Sequence, residues 1–302
     1  MLIQAQIEEI IDRALAEDVV QGDVTTETLI PHDLRGMACL MVKASGILAG
    51  TKVAKEVFLR VDPELEVEVL IADGSKVQPG DMIARISGRI SSIVRAERTA
   101  LNFLQRLSGI ASETHRYVEA VKGLPVRIMD TRKTTPGLRL LEKYAVKVGG
   151  GKNHRMNLGD GILIKDNHLT ALRSQGLNIK EIVAKARQET PLSLRGVPNR
   201  SNLKASQTRI EVEVKTVQEA AEAADAGADI IMLDNMSLED MRAAMDMIHG
   251  RALIEASGGI TLDKVRAIAE TGVDFISVGA LTHSAKALDI SLQLEPQIFK
   301  NL

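Results

Sequence analysis

Cysteine is almost missing from this chain of 302 residues, with Cys39 standing alone. One thiol excludes an intrachain disulfide framework and any centre built from several thiolates, and it fits a reducing compartment, so a cytoplasmic address is expected. Tryptophan is absent, and two Tyr and four Phe make up the whole aromatic complement. So few rings cannot form the stacking platforms that grip single-stranded nucleic acid, and a flat aromatic ligand must be held mostly by charge. Neither sign of charge dominates: 38 basic residues face 40 acidic ones, a formal net charge of -2. No global field therefore draws the chain to nucleic acid or membrane, and any anion site must be local. No apolar run approaches the roughly 20 residues that crossing a bilayer requires. The stretch from Met1 to Asp18 carries Glu8, Glu9, Asp12 and Glu17 among apolar residues at helical spacing, unlike the basic start and apolar run of a signal peptide.

What is present is enough for a substantial core: 45% of residues are apolar and 26% charged. From about Val126 onward a short apolar run, a loop of small or polar residues and an amphipathic helical stretch recur, which is the βα unit. Candidate strands are Val126 to Met129, Gly161 to Ile164, Ile210 to Val214, Ile230 to Leu233, Ala252 to Glu255 and Phe275 to Val278. Helical periodicity covers Thr216 to Ala226, with Gly227 as its stop, and Leu238 to Ile248. Consecutive units of this length predict a parallel α/β barrel. The first third instead shows an acidic helix and short alternating runs around Met37 to Val42 and Leu65 to Ile71, broken by glycines, which predicts a separate α+β domain. A helix over about Ser92 to Lys122 is expected to link the two. The division expected is a sandwich domain over 1–115, onto which about 288–302 packs back, and a barrel over 116–287. The polar segment Pro191 to Gln207 interrupts the rhythm and reads as a mobile loop.

The densest chemical signal is Asp130-Thr131-Arg132-Lys133-Thr134-Thr135-Pro136-Gly137, where a strand ends, two cations follow, and a Thr cap with Pro opens a helix. Loops at strand C-termini face the active site of a barrel. The second is Gly149-Gly150-Gly151-Lys152-Asn153-His154-Arg155, followed by Ile164-Lys165-Asp166-Asn167-His168. Between Asp130 and His168 eight basic residues stand against four acidic ones, an excess that points to a polyanion pocket. Arginine suits planar carboxylates through bidentate contacts, and lysine supplies a compact charge. Arg139, Lys143 and Lys147, at helical spacing, read as a solvated face outside the site. Glu211 and Glu213 point the same way along one strand and Asp234 closes the next. Such carboxylates can hold Mg²⁺ or ribose hydroxyls, or simply balance barrel lysines. Ser257-Gly258-Gly259 and Gly279-Ala280 follow the last two strands, where small residues let backbone N–H groups approach a phosphate at a helix N-terminus. His32, His115, His249 and Cys39 read as structural. Asp73-Gly74 and Pro79-Gly80 read as tight turns.

Taken together, Glu97-Arg98-Thr99-Ala100-Leu101-Asn102, Asp130 to Arg139, Asn153-His154-Arg155, Leu163 to His168, Glu211 to Val214, Leu233-Asp234-Asn235, Glu255 to Ile260 and Ser277 to Ser284 resemble the quinolinate phosphoribosyltransferase family, also called nicotinate-nucleotide pyrophosphorylases. The likeness begins at Glu17-Asp18 and Gly22-Asp23-Val24-Thr25-Thr26 and spans nearly the whole chain. It implies an N-terminal α/β sandwich with an open α/β barrel of fewer than eight strands, a type II phosphoribosyltransferase-like fold, in a homodimer with shared active sites. It implies that Arg98 reaches into the partner's site while Arg132, His154, Arg155 and Lys165 surround the carboxylates of quinolinate. Lys133, Glu213, Asp234, Ser257, Gly258 and Gly279 would hold phosphoribosyl pyrophosphate, with Mg²⁺ at Glu213 and Asp234 and with Lys133, Glu213 and Asp234 as the catalytic set. The activity implied is transfer of phosphoribosyl to quinolinate with loss of CO₂.

Departures from the family are the long 191–207 segment, Val148 where many relatives carry cysteine, and Asn157 and Gly159 before Lys165. Two rival readings remain: a molybdenum-transport-associated paralogue acting on another base, and a Schiff-base lyase using Lys165.

Overall fold

The acidic N-terminal stretch forms helix α1 (Gln4–Asp18), which buries Ile7 and Ile11, one turn apart, against α3 (Thr51–Val61). A short helix, α2 (Val24–Leu29), follows, capped by Asp23, whose carboxylate accepts the Thr26 N–H at 2.9 Å. The computed structural model describes residues 4–20, 22–189 and 209–295. The expected mobile loop at Pro191–Gln207 lies outside the described residues.

Two compact units emerge. The first gathers the described residues up to Arg116, Lys133–Gly151 and those from Ala280 on; the second holds Tyr117–Arg132 and Lys152–Gly279. The expected single division at 115/116 is therefore redrawn. A segment that sequence order assigns to the barrel, with helix α5 (Arg139–Val148), groups with the first unit instead.

In the first unit, β1 (Arg35–Val42), β3 (Glu66–Val69), β5 (Met82–Arg89) and β12 (Ile290–Leu294) form an antiparallel sheet in the order β12-β1-β5-β3, and the short β2 (Gly46–Ile47) and β4 (Lys76–Val77) pair with each other. The pairing of Ala38 with Leu294 through Val42 with Ile290 brings the chain's last described strand to the edge of its first. The central strands β1 and β5 carry the buried Ala38, Leu40, Val42, Ile83 and Ile86. Each fully buried aliphatic side chain contributes about 1.5–3 kcal/mol. The Asp73-Gly74 turn does more than reverse the chain. Gly50, the N-cap of α3, has no capping side chain, and Asp73 supplies one from a distance, accepting the Gly50 N–H at 2.9 Å, the Thr51 N–H at 3.0 Å and the Thr51 hydroxyl at 2.7 Å. Helix α4 (Ile90–Ala120) starts directly after β5 and runs 31 residues without a proline.

The triple glycine is a packing device. A Cβ on Gly149 would lie 2.4 Å from the Ala111 carbonyl oxygen, and one on Gly151 would lie 2.8 Å from Thr114 Cγ2, so the end of α5 can approach α4 only with hydrogen there. The expected Thr–Pro helix start is also displaced. Thr135 to Leu138 form a turn closed by the Leu138 N–H to the Thr135 carbonyl at 3.0 Å, and α5 begins at Arg139. Lys143 is fully buried rather than solvated, whereas Lys147 is exposed, because the face of α5 that carries Leu141, Glu142 and Ala145 turns inward.

The second unit is a parallel sheet of β6 (Arg127–Met129), β7 (Ile162–Ile164), β8 (Ile210–Val214), β9 (Ile230–Asp234), β10 (Leu253–Ser257) and β11 (Phe275–Ser277), in the order β6-β11-β10-β9-β8-β7. Among the described residues β6 and β7 are the edge strands, so the sheet is an open barrel, in agreement with the fold implied by the resemblance. Helix α8 (Val217–Asp225) is capped by Thr216, and α9 (Leu238–Ile248) by Ser237, which accepts the Asp240 N–H at 3.1 Å. Alanines at 220, 221, 223 and 224 bury α8 against the sheet with little side-chain entropy lost.

Candidate active site

The C-terminal ends of these strands carry the chemistry-bearing residues. Past β6, the fully buried Asp130 accepts the Asn153 side-chain amide and the His154 N–H, the latter at 2.9 Å. The chain at Lys152 lies along β6, its N–H donating to the Ile128 carbonyl at 2.8 Å while the Asp130 N–H donates to its carbonyl at 3.1 Å. Asp130 thereby fixes the Asn153-His154-Arg155 segment in place. Asp130 opens the densest cationic motif of the sequence, but this anchoring role is marked by no sequence pattern.

The His154 ring is wedged over acidic neighbours. Its Nε2 lies 3.1 Å from Glu211 and 3.5 Å from Glu255. Its Nδ1 accepts the Arg155 backbone N–H at 2.7 Å. A nitrogen that accepts carries no proton, so the tautomer assigned from that bond is neutral, with Nε2–H donating toward Glu211. The donor atoms of His154, Glu211 and Glu255 lie within 4.8 Å of one another, a spacing a cation could use. With the proton on Nε2, however, the ring has no lone pair facing that space; it donates toward Glu211, and Glu255 stands 3.5 Å away.

Beside it, burial lowers the pKa of the half-buried Arg155, as does the nearby Arg132, with Glu211 and Asp160 pulling the other way. Two half-buried guanidinium groups near enough to repel each other suit a dianion.

At the next strand ends, burial pushes the Glu213 carboxyl above its usual range; Lys165 opposes the rise, and Asp234 adds to it by repulsion. Lys165 itself is exposed at the N-cap of α6 (Asp166–Arg173), its N–H donating to His168 Nδ1 at 2.9 Å. Asp234 ends β9 opposite Ser257 at the end of β10. The next residue, Asn235, has a left-handed backbone (φ 55), donates its N–H to the Ser257 carbonyl at 2.9 Å and packs on Gly258. A Cβ at Gly258 (φ +88) would stand 2.4 Å from Asn235 Cγ. Gly258 therefore serves Asn235 first. The expected helix N-terminus at this point is corrected: α10 (Val265–Ala269) begins well past Gly259, because Gly258 and Gly259 both hold left-handed backbone. Gly279 directly precedes α11 (Ala280–His283), which has four residues.

The second unit thus brings together Arg132, His154 and Arg155 as one group and Lys165, Glu213 and Asp234 as another, with Ser257 and Gly258 beside Asp234. Arg98 and Lys133 belong to the first unit. Arg98 is exposed on α4, next to Glu97, whose carboxyl burial raises. Lys133 is exposed, and its backbone is held from below: its carbonyl accepts the Thr282 hydroxyl at 2.8 Å. Sequence reading weighed Glu211 beside Glu213 as a ligand carboxylate, not as the partner of His154, and it gave Glu255, which shares the strand parity of Ser257, no role of its own.

An open parallel barrel with paired guanidinium groups and carboxylates at its strand ends defines an α/β enzyme of the class that binds anionic substrates at the barrel mouth. The relatives are consistent with that. Residues 23–108 match the N-terminal domain and residues 110–293 the C-terminal domain described as quinolinate phosphoribosyl transferase. A protein of Nicotiana tabacum named quinolinate phosphoribosyltransferase (decarboxylating) 2b, mitochondrial, is 41% identical over 97% of this chain and 83% of its own length. A chloroplastic nicotinate-nucleotide pyrophosphorylase (carboxylating) of Arabidopsis thaliana is 42% identical over 97% and 84%. The crystal structure of NadC from Streptococcus pyogenes superposes with a TM-score of 0.88 at 42% identity, covering 98% of this chain and 99% of that one. The chain belongs to the quinolinate phosphoribosyltransferase family.

Proposed function

We propose that the chain transfers the phosphoribosyl group of phosphoribosyl pyrophosphate to quinolinate with decarboxylation, giving nicotinate mononucleotide, pyrophosphate and CO₂, a step of NAD biosynthesis. The observation that carries this reading is the pair Arg132 and Arg155, half-buried and mutually repelling, beside the neutral His154. A planar dicarboxylate relieves that repulsion and accepts two forks at once.

In this reading Arg132, His154, Arg155 and Lys165 hold quinolinate. Lys133, Glu213, Asp234, Ser257, Gly258 and Gly279 hold phosphoribosyl pyrophosphate. The pyridine nitrogen forms a bond to the anomeric carbon as the bond to pyrophosphate breaks, through an oxocarbenium-like state that Glu213 and Asp234 stabilise. Lys133 offsets the charge of the leaving group. The alkylated ring nitrogen then takes the electron pair released as the adjacent carboxylate leaves as CO₂, and a proton from water replaces it on the ring.

Magnesium is part of the reading, and the donor set fits it. Glu213, next to last in β8, and Asp234, last in the neighbouring β9, repel each other, an arrangement that a hard divalent cation relieves. When bound there it supplies charge stabilisation to the pyrophosphate. The Schiff-base alternative requires a desolvated amine, and Lys165 is exposed.

The reading includes a homodimer in which Arg98 enters the partner's site, supported by its exposure on α4. It also includes a cytoplasmic address, supported by the lone, reduced Cys39, although the plant relatives named above are organellar. No described helix is long and apolar enough to cross a membrane. The test is pyrophosphate release by purified protein with Mg²⁺ and phosphoribosyl pyrophosphate, comparing quinolinate with nicotinate. Release with quinolinate alone, with CO₂, is expected; release with nicotinate alone, or with neither base, overturns the assignment.

A further inference from the structure

The mechanism uses the mouth of the barrel. Below it, three carboxylates occupy the dry interior of the second unit: Asp130 at 0%, Glu211 at 5% and Glu255 at 1% exposure. They are not equivalent. Asp130 has the Asn153 amide and the His154 N–H, and Glu211 has His154 Nε2 at 3.1 Å. Glu255 has neither advantage. Its Oε2 is 3.5 Å from the same Nε2, which is already committed, and its Oε1 is buried with no hydrogen-bond partner. Burial together with repulsion from Glu211 outweighs His154 and the Ser277 hydroxyl, which alone favour the ionised form of this carboxyl.

We propose that Glu255 is a positioning residue that carries a proton in the working enzyme, and that this proton keeps His154 neutral and Arg155 seated for the dicarboxylate substrate.

Only one arrangement of the shared proton suits the geometry. With the proton on Glu255, His154 keeps a bare Nδ1 that accepts the Arg155 N–H at 2.7 Å. If the proton moves to His154, both ring nitrogens become donors, Nδ1–H meets the Arg155 N–H, and the segment bearing the Arg155 guanidinium is pushed away. If the proton is lost altogether, a third negative charge is added beneath the site of a dianion. The groups that act on Glu255 are Glu211 on β8 and Asp130 after β6, which raise the pKa of its carboxyl, and His154 and the Ser277 hydroxyl on β11, which lower it. His154 is the only one among them that can become a cation. Burial, then repulsion from Glu211, pushes the Glu255 carboxyl up to about 8. The proton is therefore held at neutral pH and lost above that region.

This inference rests on the quinolinate reading, and its test separates the two. Turnover of quinolinate by the wild-type protein at neutral pH establishes the reading; its absence overturns the reading alone. Given turnover, KM for quinolinate is measured from about pH 6.5 to about pH 9.5 in wild-type and Glu255→Gln, the latter a permanent mimic of the protonated acid. The wild-type KM is expected to rise about tenfold per unit above about pH 8, as for loss of one required proton. Glu255→Gln is expected to match wild-type at neutral pH and to stay flat. A variant that shows the same alkaline rise, or one that folds but loses binding at neutral pH, overturns the proposal. A second measurement needs only wild-type protein: calorimetry of quinolinate binding at about pH 8.5 in buffers of differing ionisation enthalpy. Uptake of up to about one proton per site is expected. No uptake overturns the proposal even if Glu255→Gln does not fold.

Discussion

The Arg106 guanidinium donates to the fully buried carboxylate of Glu142 at 2.8 Å, and Glu142 in turn accepts the Thr135 N–H at 3.0 Å and the Thr135 hydroxyl at 2.8 Å. Arg106 also donates to the Ala285 carbonyl at 3.0 Å and to that of Thr282. The loop that presents Lys133 is thus held by a buried ion pair on α4 and α5. Replacing Arg106 by Ala strands the Glu142 charge and is expected to lower stability by about 3 kcal/mol in denaturant titrations. Arg106→Lys is expected to recover little, because one ammonium cannot replace a fork that serves a carboxylate and two carbonyls.

Asp62 predicts an acid dependence. Burial pushes its carboxyl up, but hydrogen bonds from Arg89, Ser92 and the Glu64 N–H outweigh burial and bring it down to about 2. A carboxyl whose folded pKa lies below its ordinary value of 3.8 stabilises the fold at higher pH and loses that contribution as pH falls toward about 2. Asp62→Asn should therefore cost about 2 kcal/mol at neutral pH, and the difference should shrink below about pH 4. A pH-independent difference in urea titrations would contradict the linkage.

Gly258→Ala combines a left-handed backbone with a clash against Asn235. The backbone term is about 1 kcal/mol, and displacement of Asn235 adds to it. The expected result is lower thermal stability together with a higher KM for phosphoribosyl pyrophosphate. Adding Asn235→Gly, which tolerates the left-handed backbone at that position, should return part of the stability by removing the clash, leaving the backbone term at 258 behind. Thermal melts of the single and double variants measure this.

If Arg98 serves the partner's site, Arg98→Ala and Lys133→Ala subunits, each inactive alone, should complement each other. Random reassociation leaves one complete site in every mixed dimer, so about one quarter of wild-type activity is expected from the symmetry of a two-fold dimer. Activity that stays at zero after refolding the mixture would rule out the shared site.

Much of the barrel was legible because its strands are short apolar runs followed by small-residue turns, and that local alternation survives in any context. Ile210–Val214 and Leu238–Ile248 in the structure coincide with the stretches their periodicity marks. The cations of the site were legible for a related reason: Arg132, Arg155 and Lys165 directly follow strands or lie near one in the chain. Lys143 was misread because four-residue spacing groups Arg139, Lys143 and Lys147 without showing which of them the rest of the fold covers: Lys143 is buried and Lys147 exposed. The glycines at 149 and 151 stood in the sequence only as the start of a cationic segment, and only the approach of α4 shows why a side chain cannot stand there.

By itself, then, the sequence determined the kinds of element, their order, the near-neutral charge and the local concentration of cations, since each of these depends on neighbours along the chain. Only the tertiary structure decided that Asp130, His154, Glu211 and Glu255, drawn from four separate segments, share one dry interior. It alone decided that Asp73 caps a helix more than twenty residues before it and that Arg106 supports the Lys133 loop. The physical reason is the range of the forces. Helix and strand propensity act over a few residues, whereas the protonation of a buried carboxylate is set by whatever charge and solvent the fold places within a few ångströms of it.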